Sequence, residues 1–149
     1  MPAQVATDNI ALAKDIYALV SKNDVGKLAD LYADNAVLIS IPWNTTFRGR
    51  NGILDFVRAF KTAFPDLKLN LTHQVAEDDF VVTEYVARGT HKGVFVSPMG
   101  DISPTNRNIE IPVCEVVQFK DGKMVTCRQY WDTGTFARQL GLESGPAAS

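Results

Sequence analysis

The residues from Ile109 to Asp132, IEIPVCEVVQF-KDG-KMVTCRQYWD, decide the fold of this chain. Two runs rich in β-branched and aromatic residues flank an Asp-Gly pair, which is a strong signal for a β-hairpin. Apolar and polar side chains alternate in the first run, as expected for a strand with one buried face. Glu115 lies in the middle of that apolar face. An unpaired ionised carboxylate is costly to bury, so Glu115 either lies on the opposite face or has a function.

The length of the turn decides where Glu115 points. A three-residue loop at 120–122 places Glu115 opposite Cys127, on the same face as Gln129. A two-residue loop places Glu115 opposite Arg128 in a surface ion pair, because a slip of one residue reverses every side chain. We favour the three-residue loop because it keeps apolar side chains together, namely those of Val113, Val117, Val125 and Trp131.

The composition of the chain limits the classes of function. Its 149 residues are enough for one domain with a hydrophobic core. The net charge of −2 gives no indication of the basic surface that nucleic-acid binding requires. No apolar run approaches the ~20 residues of a membrane span, and Met1 to Asn9 lack the charged and apolar regions expected of a signal peptide. Cys114 and Cys127 are interpreted as buried thiols in a reducing cytosol. We therefore expect one cytoplasmic domain, with a core at 8–142 and a loose tail at 143–149.

Helices are expected first and strands afterwards. Apolar spacing predicts three helices within 7–64 and a last helix after Asp132. The residues placed to cap or end the first three are Thr7 or Asp8, Asp24, Gly49 or Asn51, and Pro65. Alternation predicts strands at 36–42, 67–74 and 80–91, with a polar loop at 43–50 and an irregular excursion at 92–108. This order indicates an α+β fold, in which helices pack on one face of a curved antiparallel sheet and enclose a cavity.

Several side chains are candidates to line that cavity. Tyr17 and Tyr85 can each present a hydroxyl inward while the ring packs. Trp43 is either a lid or a helix-packing anchor, and His91 suits the pocket mouth. His73 ends an apolar alternation, although a histidine there is also explained by the strand end alone. The two histidines are too far apart in sequence to indicate a metal pair, and no phosphate loop or zinc pattern is present, so we expect no cofactor.

At this point the sequence resembles a known family. The segment Gly89–Phe95, GTHKGVF, resembles the Gly-Thr-His-x-Gly-x-Phe segment of SnoaL-like polyketide cyclases. The runs AFPDL at 63–67, DGKM at 121–124, YWD at 130–132 and QLGL at 139–142 also match that family. The resemblance covers 8–142. It implies the conical α+β fold of the nuclear transport factor 2-like superfamily, with a deep apolar cavity and commonly a dimer through the sheet.

The resemblance also implies a rearranged acid/base set. The acid/base aspartate of these cyclases falls on Gln129, which cannot titrate, while a family histidine falls on Glu115 and another is retained as His91. Glu115 could therefore replace the lost carboxylate. Two sister families fit worse. The catalytic positions of limonene epoxide hydrolases fall on Ala87, Tyr85, Gln129, Leu38 and Ser40. Steroid isomerases share Tyr17, but their base falls on Ser40 or Ile41.

Our leading hypothesis is an enzyme that transfers a proton next to a carbonyl, as in aldol cyclisation or isomerisation of a small polyketide-like or other hydrophobic metabolite. Glu115 would be the base, and Gln129 and His91 would hold the enolate oxygen. The candidate substrate-binding residues are Tyr17, Ser40, Trp43, His73, Tyr85 and Trp131. The alternatives are a binding protein without catalysis, an epoxide-hydrolase-like enzyme with an altered site, and a scaffold subunit.

Two further expectations concern assembly and stability. Thr126, Arg128 and Tyr130 mix polar and aromatic groups on the face opposite the pocket, which favours a homodimer. Burial of Glu115 among apolar side chains, with few cations to pair with it, should oppose its ionisation. Glu115→Gln should then stabilise the protein at neutral pH while harming any activity.

Overall fold

The computed structural model describes residues 2–142, with side chains from residue 4 onward; the tail expected at 143–149 lies outside this range. The helices are α1 (Pro2–Lys22), α2 (Val25–Ala29), α3 (Gly49–Ala63) and α4 (Thr133–Gln139). The strands are β1 (Tyr32–Ser40), β2 (Thr45–Arg48), β3 (Lys68–Glu77), β4 (Phe80–Thr90), β5 (Phe95–Ser97), β6 (Gly100–Ile102), β7 (Asn108–Lys120) and β8 (Lys123–Tyr130). None of the described helices is long and apolar enough to cross a membrane.

Six strands form one sheet in the order β2-β1-β8-β7-β4-β3, and β5 and β6 form a separate small hairpin. Neighbours in the large sheet are antiparallel except β1 and β8, which run parallel. Helix α1 packs against β3 and β4, and α3 packs against β1. The predicted α+β class is confirmed, and the concave face of the sheet meets both helices across one hydrophobic core.

The central hairpin has a two-residue turn rather than the expected three-residue loop. Lys120 pairs with Lys123, and both Asp121 and Gly122 have positive φ, as in a type I′ turn whose twist matches that of the strands. A β-bulge at Val125 then shifts the register by one residue. The turn and the bulge together place Glu115 opposite Gln129. The expected partner of Glu115, Cys127, is therefore wrong by two residues, whereas the expected face of the sheet for Glu115 is right.

A second β-bulge decides which face of the sheet His73 occupies. Leu71 pairs with Tyr85 and His73 pairs with Glu84, so Thr72 is the extra residue in β3. The alternation that would have carried His73 inward is reversed at this bulge. Its side chain is 78% exposed, 3.3 Å from the Glu84 carboxylate. His73 therefore lies on the outer face, and the expectation that it contacts a ligand in the cavity is wrong.

Helix ends agree closely with the caps chosen from the sequence. Asp24 accepts from the backbone N–H of Lys27 at the start of α2, and Asp132 accepts from that of Gly134 at the start of α4. Helix α3 begins at Gly49. Helix α1 differs, because it begins at Pro2 and is not capped at 7–8.

The glycines of the GTHKG segment have a packing role. The backbone N–H of Gly93 donates to the Ala63 carbonyl at the end of α3. A Cβ on Gly93 would lie 2.1 Å from the Thr62 carbonyl oxygen. The close contact of Gly93 with the end of α3 places Phe95 in the core, where it is buried. The region expected to be irregular at 92–108 contains the short hairpin of β5 and β6, and the loop at 43–50 contains β2.

Candidate active site

A cavity of about 90 Å³ lies between the helices and the concave face of the sheet. Apolar side chains from both layers form most of its wall, including Ile16 and Val20 of α1, Phe56 and Phe60 of α3, and Val113 of β7. The polar or weakly polar lining side chains are those of Tyr17, Tyr32, Tyr85, Glu115, Cys127, Gln129 and Trp131.

The Glu115 carboxylate is the centre of a buried hydrogen-bond network. Tyr17 Oη donates to Oε1 at 2.8 Å, and Tyr85 Oη donates to Oε2 at 2.7 Å. Gln129 Nε2 donates to Oε2 at 3.0 Å, and the Cys127 thiol approaches Oε1 at 3.4 Å. Glu115 is only 7% exposed. Four donors from α1, β4 and β8 therefore converge on one carboxylate inside an apolar wall.

Trp131 fixes the orientation of the Gln129 amide. The indole Nε1–H can only donate, and it donates to Gln129 Oε1 at 2.9 Å. The amide nitrogen must then point to Glu115, so the carboxylate is an acceptor in that bond. This chain of bonds therefore holds both Gln129 and the Glu115 side chain in one orientation.

The donors around Glu115 are held in their protonated forms. Burial, and after it the nearby charge of Glu115, raises the pKa of the Tyr17 and Tyr85 hydroxyls well above the ordinary value. The same two causes, in the same order, raise the pKa of the Cys127 thiol. All three groups therefore remain proton donors at neutral pH.

The family model for the SnoaL-like polyketide cyclases matches residues 11–140. The chain belongs to this family. A search of curated proteins finds no match. Among solved structures, IdmH from Streptomyces antibioticus, a proposed polyketide cyclase, shares 27% identity over 90% of this chain and 99% of that chain, with a TM-score of 0.75.

Two further solved structures show the same fold at lower identity. A proposed SnoaL-like polyketide cyclase from Jannaschia sp. CCS1 has a TM-score of 0.82 at 16% identity, with 95% of each chain covered. AclR from Streptomyces galilaeus, a proposed hydroxylase, has a TM-score of 0.77 at 23% identity, covering 91% of this chain and 86% of that chain.

His91 is placed outside the lining of this SnoaL-like cavity. It is fully buried against the ring of Phe64, with ring centroids 5.2 Å apart. Its Nδ1 accepts from the backbone N–H of Thr105 at 3.2 Å. Burial lowers the pKa of its imidazole, and this favours the neutral ring. The structure gives His91 a role in joining residues 91 and 105. Because His91 lies outside the cavity lining, the expectation that it holds an enolate oxygen is wrong.

Ser40 and Trp43 also lie outside the cavity lining. Ser40 is fully buried, and its Oγ has no hydrogen-bond partner among the described residues. The Trp43 ring stacks on Phe60 and meets the edge of Trp131, with centroids 6.0 and 4.9 Å apart. Of the two interpretations of Trp43, the packing anchor agrees with these contacts. Trp43 therefore packs against two residues that line the cavity, Phe60 and Trp131.

Sequence reasoning missed two members of this SnoaL-like site. Cys127 lies on the expected face, two residues before Gln129, but the sequence indicates only a buried thiol there. Tyr32 begins β1 and is not among the lining residues predicted from the sequence. Among the described residues, no group of three His, Cys, Asp or Glu side chains could hold a metal ion.

The network changes the energetic view of Glu115. No ion pair to Glu115 occurs in the described part of the chain, yet four uncharged donors compensate for its lost hydration. A glutamine at this position would keep one acceptor oxygen in place of two. The higher stability expected for Glu115→Gln remains a prediction. The loss of hydrogen bonds in this variant acts against that gain.

Proposed function

We propose that this protein catalyses proton transfer next to the carbonyl group of a small hydrophobic compound, without a cofactor, and that Glu115 is the acid/base. The observation that supports this most is the buried Glu115 carboxylate, held by two tyrosine hydroxyls inside an apolar cavity. An apolar lining that excludes water strengthens electrostatic interactions at such a site, and the two tyrosine hydroxyls are donors already held in position.

The proposed step exchanges the partners of the two tyrosines. A substrate carbonyl oxygen takes the hydrogen bond of the Tyr17 or Tyr85 hydroxyl and frees a lone pair on Glu115. Glu115 then removes the proton from the neighbouring carbon, and the C–H electron pair moves into the enolate, whose oxygen the hydroxyl stabilises. Return of the proton from Glu115 to another carbon gives isomerisation. In aldol cyclisation the enolate attacks a second carbonyl and forms the carbon–carbon bond, and Glu115 returns its proton to the resulting alkoxide.

The size of the cavity limits the substrate. Its volume is about 90 Å³, and a cavity of roughly 150 Å³ is known to hold benzene. A small carbonyl compound therefore suits the cavity as it stands. A larger polyketide needs the half-buried lining side chains of Phe60 and Trp131 to move apart.

The test is the exchange of the methyl protons of acetone for deuterium in heavy water, followed by nuclear magnetic resonance, because acetone is small enough for a cavity of about 90 Å³. We expect turnover by the wild type and a loss of about 10²-fold or more in Glu115→Gln, the usual range for a general base. Glu84→Gln is the matched control, because the Glu84 side chain is 58% exposed on the outer face. Full activity of Glu115→Gln would show that Glu115 is not the base.

The second candidate is a binding protein without catalysis. Two observations favour it: an amide stands at position 129, and every oxygen of Glu115 already accepts two hydrogen bonds. A ligand that raises the melting temperature, with no product after long incubation, would select this function. An epoxide-hydrolase-like mechanism has less support, because Glu115 is the only carboxylate among the described lining residues.

We also propose a homodimer through the outer face of the sheet. Thr126 and Arg128 are half-buried there and Tyr130 is 40% exposed, in one row along β8. Polar and aromatic groups of this kind suit an interface. Light scattering at tens of micromolar should give the mass of a dimer, and a monomer at that concentration would refute this.

A further inference from the structure

The cavity is lined by one acidic side chain and by no basic one. Among the described lining residues, Glu115 is the only carboxyl group, and no Lys, Arg or His lines the cavity. Trp131 orients the Gln129 amide so that its nitrogen donates to Glu115 Oε2. The four donors to Glu115 are uncharged, so a cationic ligand would supply a charge partner that the described part of the chain does not.

The hydrogen bonds that face the cavity offer acceptors. The Tyr17 and Tyr85 hydroxyls donate to Glu115, so each keeps lone pairs that can accept from a ligand N–H. The Cys127 thiol, at 3.4 Å, is the weakest donor to Glu115 and the easiest to displace. A ketone needs a donor and must first break one of these tyrosine bonds, whereas an ammonium group needs acceptors, which the two hydroxyls keep while they donate to Glu115.

The remaining wall suits a small cation as well. The aromatic lining residues are Tyr17, Tyr32, Phe56, Phe60, Tyr85, Trp131 and Phe136. A cation within about 6 Å of an aromatic ring centroid is attracted by the ring face, most strongly where water is excluded. The cavity volume of about 90 Å³ corresponds to roughly four non-hydrogen atoms, on the scale of benzene in a 150 Å³ cavity.

We propose that this cavity binds a small protonated alkylamine, with Glu115 as its counter-charge and the Tyr17 and Tyr85 hydroxyls as acceptors. The proposal goes beyond the proton-transfer function, since binding of this kind requires no reaction. It also predicts the order of ligand preference as cation first, neutral alcohol or ketone next, and anion last.

The experiment compares four ligands of equal size at pH 7 and constant ionic strength: isopropylammonium, propan-2-ol, acetone and acetate. Chemical shifts of the Gln129 side-chain amide and the Trp131 indole N–H report binding directly beside Glu115. We expect isopropylammonium to bind about tenfold more tightly than propan-2-ol or acetone, as hydrogen bonds to charged groups are stronger. Acetate should cause no shift. Equal or weaker binding of isopropylammonium than of propan-2-ol would overturn the proposal.

Two variants separate charge from shape. Glu115→Gln should abolish the preference for isopropylammonium over propan-2-ol, while the control Glu84→Gln should keep it. If Glu115→Gln does not fold, Phe60→Leu at the half-buried part of the wall provides the test. Loss of one ring should reduce the preference for the cation about two- to fivefold. An unchanged preference in the folded variant would refute the proposal.

The two proposals fail separately. A cation preference without exchange of the acetone methyl protons would leave amine binding in place and remove the proton-transfer function. Exchange that depends on Glu115, with acetone bound more tightly than isopropylammonium, would leave the catalytic function and remove amine binding.

Discussion

Removal of the Tyr85 hydroxyl tests how much the network contributes to stability. The Tyr85→Phe variant keeps the ring, which is buried and packs with its centroid 5.1 Å from that of Tyr17. It removes the 2.7 Å hydrogen bond to Glu115 Oε2. Hydrogen bonds to charged groups contribute about 1.5–3 kcal/mol, so we expect a loss of about 2 kcal/mol in the free energy of unfolding. For a domain of this size that corresponds to a melting temperature lower by about 4–8 °C.

Urea unfolding followed by circular dichroism gives the free energy directly. Tyr32→Phe is the matched control, because Tyr32 is similarly buried and lines the same cavity, while its hydroxyl makes no hydrogen bond to another described residue; it should change stability by less than about 0.5 kcal/mol. A double-mutant cycle with Glu115→Gln should return a coupling energy of about 1 kcal/mol or more. If Tyr85→Phe were as stable as Tyr32→Phe, the buried network would not contribute to folding and the reasoning would be wrong.

Three further predictions concern packing, orientation and pH. Gly93→Ala should cost about 2 kcal/mol or more in urea unfolding, because its Cβ meets backbone at 2.1 Å; Gly26→Ala, with its nearest contact at 3.9 Å, is the control and should not destabilise. Trp131→Phe should let the Gln129 amide turn, which would appear as broadened side-chain amide resonances; sharp, unshifted resonances would contradict this. Burial raises the pKa of Tyr85 above 10.0. Above that pH the unfolded state loses protons first and stability falls, so Tyr85→Phe should flatten the decline by up to about 1.4 kcal/mol per pH unit, and an equal decline would refute this.

The sequence determined the longer helices and strands and the face of the central carboxylate. Alternation across β7 places Glu115 with the apolar side chains, and the period of two makes that face insensitive to a register error of two residues. Asp24 and Asp132 were identified as helix caps because a short side chain with an oxygen acceptor can satisfy the first free N–H groups of a helix. Local patterns of this kind depend only on neighbouring residues.

Only the tertiary structure decided which groups meet Glu115. Its partners Tyr17 and Tyr85 are 98 and 30 residues away in sequence, and no local pattern encodes such contacts. The bulges at Thr72 and Val125 were also not predicted, because alternation does not show which residue a ladder skips. The first turned His73 to the outer face, and the second placed Gln129 rather than Arg128 opposite Glu115. The sequence thus determined the face that Glu115 occupies, and the packing of α1 and β4 on the hairpin determined the arrangement of the groups around it.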